Sequence, residues 1–261
     1  MKDVVIASSE ADAQAAQAVE EHHAQMAGAL AIKVESLSAA ARARRQGDSH
    51  GARDDLVAWC RAELVPHALA EEGSLYRVAA ERVEARLLVE AMLAEHRVLV
   101  GLVDDLARAD DPVSAAELAL ALRVLFETHL AKENEQILPL LVAAPDVSLA
   151  ALLGGLHELL GATASADHSE QSDGHSCGCG ETDPSGHPEL DARTIPHAVR
   201  HASIFGALDG VLPGKGLILV APHDPLPLLE QLEAREPGVF EVDYLERGPQ
   251  AWRLAIVRQA V

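Results

Sequence analysis

Aromatic side chains are nearly missing from this 261-residue chain: Phe, Tyr and Trp make up 3% of it. A core must then come from aliphatic residues, and hydrophobic residues still reach 49%. Cysteine is scarce as well. Three thiols, two of them (Cys177 and Cys179) separated by one glycine, cannot make a disulfide framework, so a reducing cytoplasm is the default setting. Positive charge is short, with 21 Lys and Arg against 41 Asp and Glu. The resulting formal charge of −20 argues against nucleic-acid binding through a broad basic surface. No apolar run approaches about eighteen residues, so no membrane span is expected. The opening Met1-Lys2-Asp3-Val4-Val5-Ile6 has no signal-peptide core.

What is present is helix-forming. The first 160 residues are rich in Ala, Leu, Val, Glu and Arg. A first helix runs from Ser8-Ser9-Glu10 past Leu37, with Val19, Met26, Leu30, Val34 and Leu37 on one stripe. Gln46 to Gly51 reads as a turn. A second helix spans about Asp54 to His67 and beyond, kinked at Pro66, with Gly73 marking an irregularity. A third extends from about Val83 to Ala109, and a fourth follows Asp110-Asp111-Pro112 and ends near Val142. Val147 to Leu160 reads as a fifth helix lying on the bundle. Residues 161–187, dominated by Ser, Asp, Gly, His and Cys, read as a linker. From 188 to 261 the order β-α-β-α-β-β is expected. The fold class is therefore multi-domain: an all-α up-down four-helix bundle (1–160), then a small α/β two-layer sandwich (188–261).

Inside the bundle one costly pattern occurs twice. His129 and Glu133 are four apart and share a helix face with Leu122, Phe126 and Ile137; His67 and Glu71 repeat the arrangement. Imidazoles and carboxylates aimed into a core are costly unless paired. Aligning His23 with His96 superimposes His23 to Leu30 on His96 to Val103, so the chain reads as single His, then His-x-x-x-Glu, twice over. Four imidazoles and two carboxylates then face inward, enough for two divalent ions with positions left for a small ligand. Such donors suit iron, manganese or zinc. His22 and His23 are adjacent and point about 100° apart. His23 lies nearer the centre of the apolar stripe and aligns with His96, so it is the expected donor, with His22 at the bundle edge.

Glu21-His22-His23, His67 to Glu71 with Glu72, Glu95-His96 and His129 to Glu133 together resemble the hemerythrin-like, HHE cation-binding bundles over about residues 10 to 145. The resemblance implies a non-haem di-iron centre bridged by Glu71 and Glu133, interacting with dioxygen, peroxide or nitric oxide. Oxygen-carrying hemerythrins place a second His four residues from the third-helix one, where this chain has Met92 and Val100. Their last motif also has a longer gap ending in Asp. The pattern looks more like the bacterial repair-of-iron-centres proteins, which shifts weight from oxygen carriage to redox chemistry or sensing, with iron donation in repair, or metal storage or delivery using Cys177 and Cys179, as further expectations.

In the linker, Cys177 and Cys179 form a Cys-x-Cys flanked by histidines. It fits a soft-metal or disulfide-exchange site, and equally a tether with incidental thiols. Cys60 reads as a packed small hydrophobe. Residues 188–261 resemble the α/β domain joined to hemerythrin-like bundles, similar in fold to the TusA/SirA sulfur carriers. Those place a reactive Cys before the Pro that opens the first helix; here Ile195 precedes Pro196, which speaks against persulfide transfer. His197 and His201, one turn apart, and His223 are candidates for a second metal or haem site, or solvent-facing groups. A protein partner reached through this domain is the remaining expectation.

Overall fold

The structure is a computed structural model that describes residues 7, 9–43, 46–154, 187–195, 197 and 199–260. The long first helix, α1 (Glu10–Arg42), starts where the Ser9 hydroxyl accepts from the Asp12 amide at 3.1 Å. Next come α2 (Gln46–Trp59), a π-helical turn (Cys60–Leu64), α3 (Val65–Gly73) and α4 (Leu75–Ala79). Then α5 (Arg86–Arg108) leads to α6 (Pro112–Lys132), a second π-helical turn (Glu133–Ile137) and α7 (Leu138–Ala143). Asp111 caps α6 by accepting from the Ser114 amide at 2.8 Å, with Pro112 in the first turn.

Two elements differ from the expectation. The Gln46 to Gly51 stretch is helical, and α2 starts eight residues before Asp54. Tertiary contacts outweigh the two glycines: Arg53 Nη1 donates to the Ala109 carbonyl at 2.6 Å, satisfying the end of α5. The kink expected at Pro66 is taken up before it, as a π turn. A proline removes one helical N–H and crowds the carbonyl four residues back, and a wider turn relieves both. Pro139 stands in the same relation to the second π turn. The break after Gly73 falls where the sequence marked it, at Ser74.

Contacts close a ring: α1 on α2, α2 on α5, α5 on α6, and α6 back on α1. The helical bundle holds two apolar clusters. One gathers Val19, Leu75, Met92 and Ile137, and the other Met26, Leu64, Leu99 and Phe126. Every inward His and Glu of the repeat falls between members of the two, so the bundle has a polar layer sandwiched by aliphatic ones. Residues 149–154 are helical and lie against the first cluster through Leu149 and Leu153. Asp12 Oδ1 accepts from the Ala150 amide at 3.0 Å there. Val147 and Ser148 precede this helix, while positions 155–160 of the expected fifth helix and most of the linker, Cys177 and Cys179 included, lie outside the described residues.

The C-terminal region follows the β-α-β-α-β-β order: β1 (Glu189–Asp191), α8 (Arg200–Asp209), β2 (Gly216–Ala221), α9 (Leu226–Arg235), β3 (Phe240–Arg247) and β4 (Trp252–Arg258). The sheet order is β1-β2-β4-β3, with β1 parallel to β2 and β4 antiparallel to both its neighbours. Leu217, Leu219, Leu254 and Ile256 cluster with Ile204 and Leu208 of α8 and Leu228 and Leu232 of α9. Ile32 of α1 joins this cluster, because α8 packs directly along α1. A Cβ on Gly28 would lie 2.0 Å from the Ser203 carbonyl oxygen, and one on Gly206 would lie 2.0 Å from that of Gln25. Only glycines permit this approach. Gly28 to Val34 are consequently all buried, a helix covered on every side rather than along one stripe.

Candidate metal centre

Five elements deliver six donor groups to the polar layer, two of them from α3. His23 comes from α1, His67 and Glu71 from α3, His96 from α5, His129 from the last turn of α6, and Glu133 from the first residue of the π turn. All six are at most 3% exposed. His22 is half-buried and meets the His67 ring edge-on, with centroids 5.1 Å apart.

Glu71 sits at the middle. Its Oε1 is 3.2 Å from His23 Nε2 and 3.0 Å from His67 Nε2, while its Oε2 is 3.8 Å from His96 Nε2. Glu133 spans the same gap, with Oε2 3.8 Å from His23 Nε2 and Oε1 3.6 Å from His129 Nε2. Two groups of converging donor atoms result: His23, His67 and Glu71, and Glu71, His96 and His129. Glu71 belongs to both.

Groups the sequence reading left without a role hold the imidazoles from behind. His96 Nδ1 is 2.8 Å from Glu72 Oε1, and His129 Nδ1 is 2.9 Å from Glu95 Oε2. An ionised carboxylate only accepts, so each Nδ1 carries the proton and each Nε2 presents a lone pair inward. Asn134 Oδ1 holds His23 Nδ1 in the same way at 2.7 Å. Lys132 pairs with Glu95. Tyr76, fully buried, donates to Glu133 and stacks on the His96 ring at 5.3 Å. Tyr76 could have been suspected from the sequence, being one of two tyrosines and set in an aliphatic run. Asn134, beside Glu133, carries no such signal.

The inward-facing atoms need a proton or a cation between them. His96 Nε2 and His129 Nε2 are 2.9 Å apart, so one of the two must be protonated or both must share a cation. Both His67 nitrogens, Glu71 Oε2 and Glu133 Oε2 are buried with no hydrogen-bond partner, although His67 Nε2 is so near Glu71. Buried polar atoms are rarely left so, and hard or borderline divalent cations suit these donors. The residues present therefore fit a metal. Protons fill part of the role: burial would lower His23, but the Glu71 hydrogen bond and the Glu133 charge outweigh it and raise its pKa. Burial likewise opposes the upward shift of His129, which Glu133 and Glu95 impose. Burial would raise Glu71, yet His67 and His23 hold it well below the usual carboxylate range. Burial, with the charges of Glu133 and Glu71, pushes Tyr76 up, so it stays a neutral donor.

Residues 14–141 match the Hemerythrin HHE cation binding domain, and residues 189–258 match an uncharacterized conserved protein family, DUF2249. The helical part of the chain thus belongs to the hemerythrin-type cation-binding domains, whose metal is commonly iron, and the C-terminal part is TusA-like. Neither a curated protein nor a solved structure matches the chain.

The other candidates are placed elsewhere. His197, His201 and His223 line one cavity in the C-terminal domain, and they are not among the described groups of converging donors. Cys60 is packed in the second apolar cluster, its thiol pushed up to about 12 by burial, which makes it inert as a ligand or nucleophile. No helix among the described residues is long and apolar enough to cross a membrane.

Proposed function

We propose that the bundle is a non-haem di-iron centre that binds or reduces a small oxidant, such as dioxygen, peroxide or nitric oxide, or donates iron for repair. His23 and His67 would hold one ion and His96 and His129 the other, with Glu71 and Glu133 between them. One observation carries the reading: the two oxygens of Glu71 are divided between two histidine groups, and the buried atoms around it are left unpaired. Bound iron would supply electrons and open coordination positions for a small ligand. The chain's own part is to fix donor directions through Glu72, Glu95 and Asn134 and to exclude bulk water with the two aliphatic layers. Tyr76 holds a proton beside Glu133 and His129.

Metal analysis with Mössbauer spectroscopy on anaerobically purified protein tests this. About two coupled irons per chain are expected, falling to none in Glu71→Ala plus Glu133→Ala. A single uncoupled iron, or full retention in the double variant, refutes it.

A second reading, a sensor without turnover, is favoured by a separate observation: α1 carries His23 and also receives α8 of the C-terminal domain. Iron loading or oxidation would then alter what that domain docks. Catalytic consumption of peroxide or nitric oxide by the loaded protein separates the two. Turnover supports the first, and a single spectral change with altered domain contacts supports the second.

A further inference from the structure

Outside the metal centre, the C-terminal domain carries its own cluster of cationic and titratable side chains. A cavity of about 70 Å³ opens at the carboxyl ends of the parallel strands β1 and β2. This is the edge of an α/β sheet where ligands generally settle. Ala192, just past β1, and Ala221, the last residue of β2, lie at its base. Among the described residues, every polar side chain lining it is a nitrogen donor (His197, Arg200, His201 and His223) and no carboxylate does, in a chain whose net charge is −20.

The donor set selects the sign of the occupant. A guanidinium stays charged and cannot ligate a cation. Arg200 is fixed in place because its Nε and Nη2 donate to the Ile195 carbonyl at 3.2 and 2.9 Å. The remaining walls include three prolines, which have no backbone N–H, so recognition falls to the side chains. The volume, well above the roughly 10–15 Å³ that admits a single water, leaves room for one small tetrahedral ion.

We propose that this cavity seats one small oxyanion of the phosphate or sulfate type, held by Arg200 and the imidazoles of His197, His201 and His223. The occupant is thus an anion rather than the metal or haem that the histidine spacing alone brought to mind. Charge-assisted hydrogen bonds from a planar guanidinium match such oxygens.

Calorimetric titration of the full, untagged chain with inorganic phosphate, sulfate, acetate and zinc chloride tests the proposal. Phosphate or sulfate should bind once per chain, with acetate about tenfold weaker or more. His201→Gln plus His223→Gln, both at exposed positions, should weaken that binding at least about tenfold. Iron content and the unfolding midpoint should not change in that variant. The proposal is overturned by no saturable uptake of either anion up to about 10 mM, by equal binding in the double variant, by acetate binding as tightly, or by zinc taken up in place of anion and lost in the same variant.

Discussion

At the scale of single residues, the groups behind the imidazoles matter nearly as much as the donors. Removing Asn134, Glu72 or Glu95 by substitution with Ala frees one Nδ1 and lets its ring turn. Each change should weaken iron binding by about 10- to 100-fold in chelator competition, with helix content unchanged. The protonation pattern sets a pH dependence whose sign can be worked out. His23 and His129 lie above the ordinary 6.5, so in the iron-free protein their stabilisation is complete below 6.5 and fades as pH rises through the raised values. Glu71 lies below its ordinary 4.5, so its contribution is present above 4.5 and fades as pH falls. The iron-free bundle should be firmest between these limits. Iron must displace the histidine protons, so affinity should climb toward alkaline pH. Melting curves of both forms from pH 5 to 8 should show a gap that widens upward, and a gap independent of pH would contradict the assignment. The inward placement of the six side chains was legible because helical spacing sets each His-x-x-x-Glu pair on one face, and the internal repeat with the apolar stripe adds His23 and His96. Asn134, Glu72, Glu95 and Tyr76 acquire roles only when four helices converge, which spacing within one helix does not encode.

At the scale of elements, two apolar layers clamp the polar one. Phe126, 2% exposed, belongs to the second; Phe126→Ala should cost about 3–5 kcal/mol in denaturant unfolding. Helix glycines without neighbours offer the opposite lever. A Cβ at Gly51 of α2 or Gly101 of α5 would meet nothing within 4 Å. Gly51→Ala and Gly101→Ala should each add about 0.5–1 kcal/mol, measured the same way. The first of these glycines misled the sequence reading, which took Gln46 to Gly51 for a turn. Composition signals a turn there, but Arg53 anchoring the end of α5 is a long-range contact that composition does not reveal. The π turns were half legible. Pro66 announced a disturbance but not its form, since a kink and a wider turn both relieve the same clash.

At the scale of the whole molecule, the two halves meet backbone to backbone. Gly28 and Gly101 occupy equivalent places in the internal repeat, yet Gly101 faces open space and Gly28 lies against Ser203. The contact is reinforced by Lys33, a buried lysine whose Nζ donates to Asp55 at 2.7 Å and reaches the Gly210 carbonyl at 3.5 Å. Gly28→Leu, or Gly206→Leu, should therefore force the C-terminal domain off α1. The check is a larger radius of gyration in X-ray scattering. A variant as compact as the parent would count against the contact. The fold of each half was readable from periodicity, whereas their docking was not, because a glycine's use in close packing leaves no periodic trace. A practical consequence follows for anyone who would trim the protein to its cation-binding portion. Severed from its companion, α1 would present a naked furrow of small residues to solvent, with Lys33 uncovered though still paired to Asp55. The excised bundle should tend to self-associate, and its chemistry would be a poor proxy for that of the intact chain.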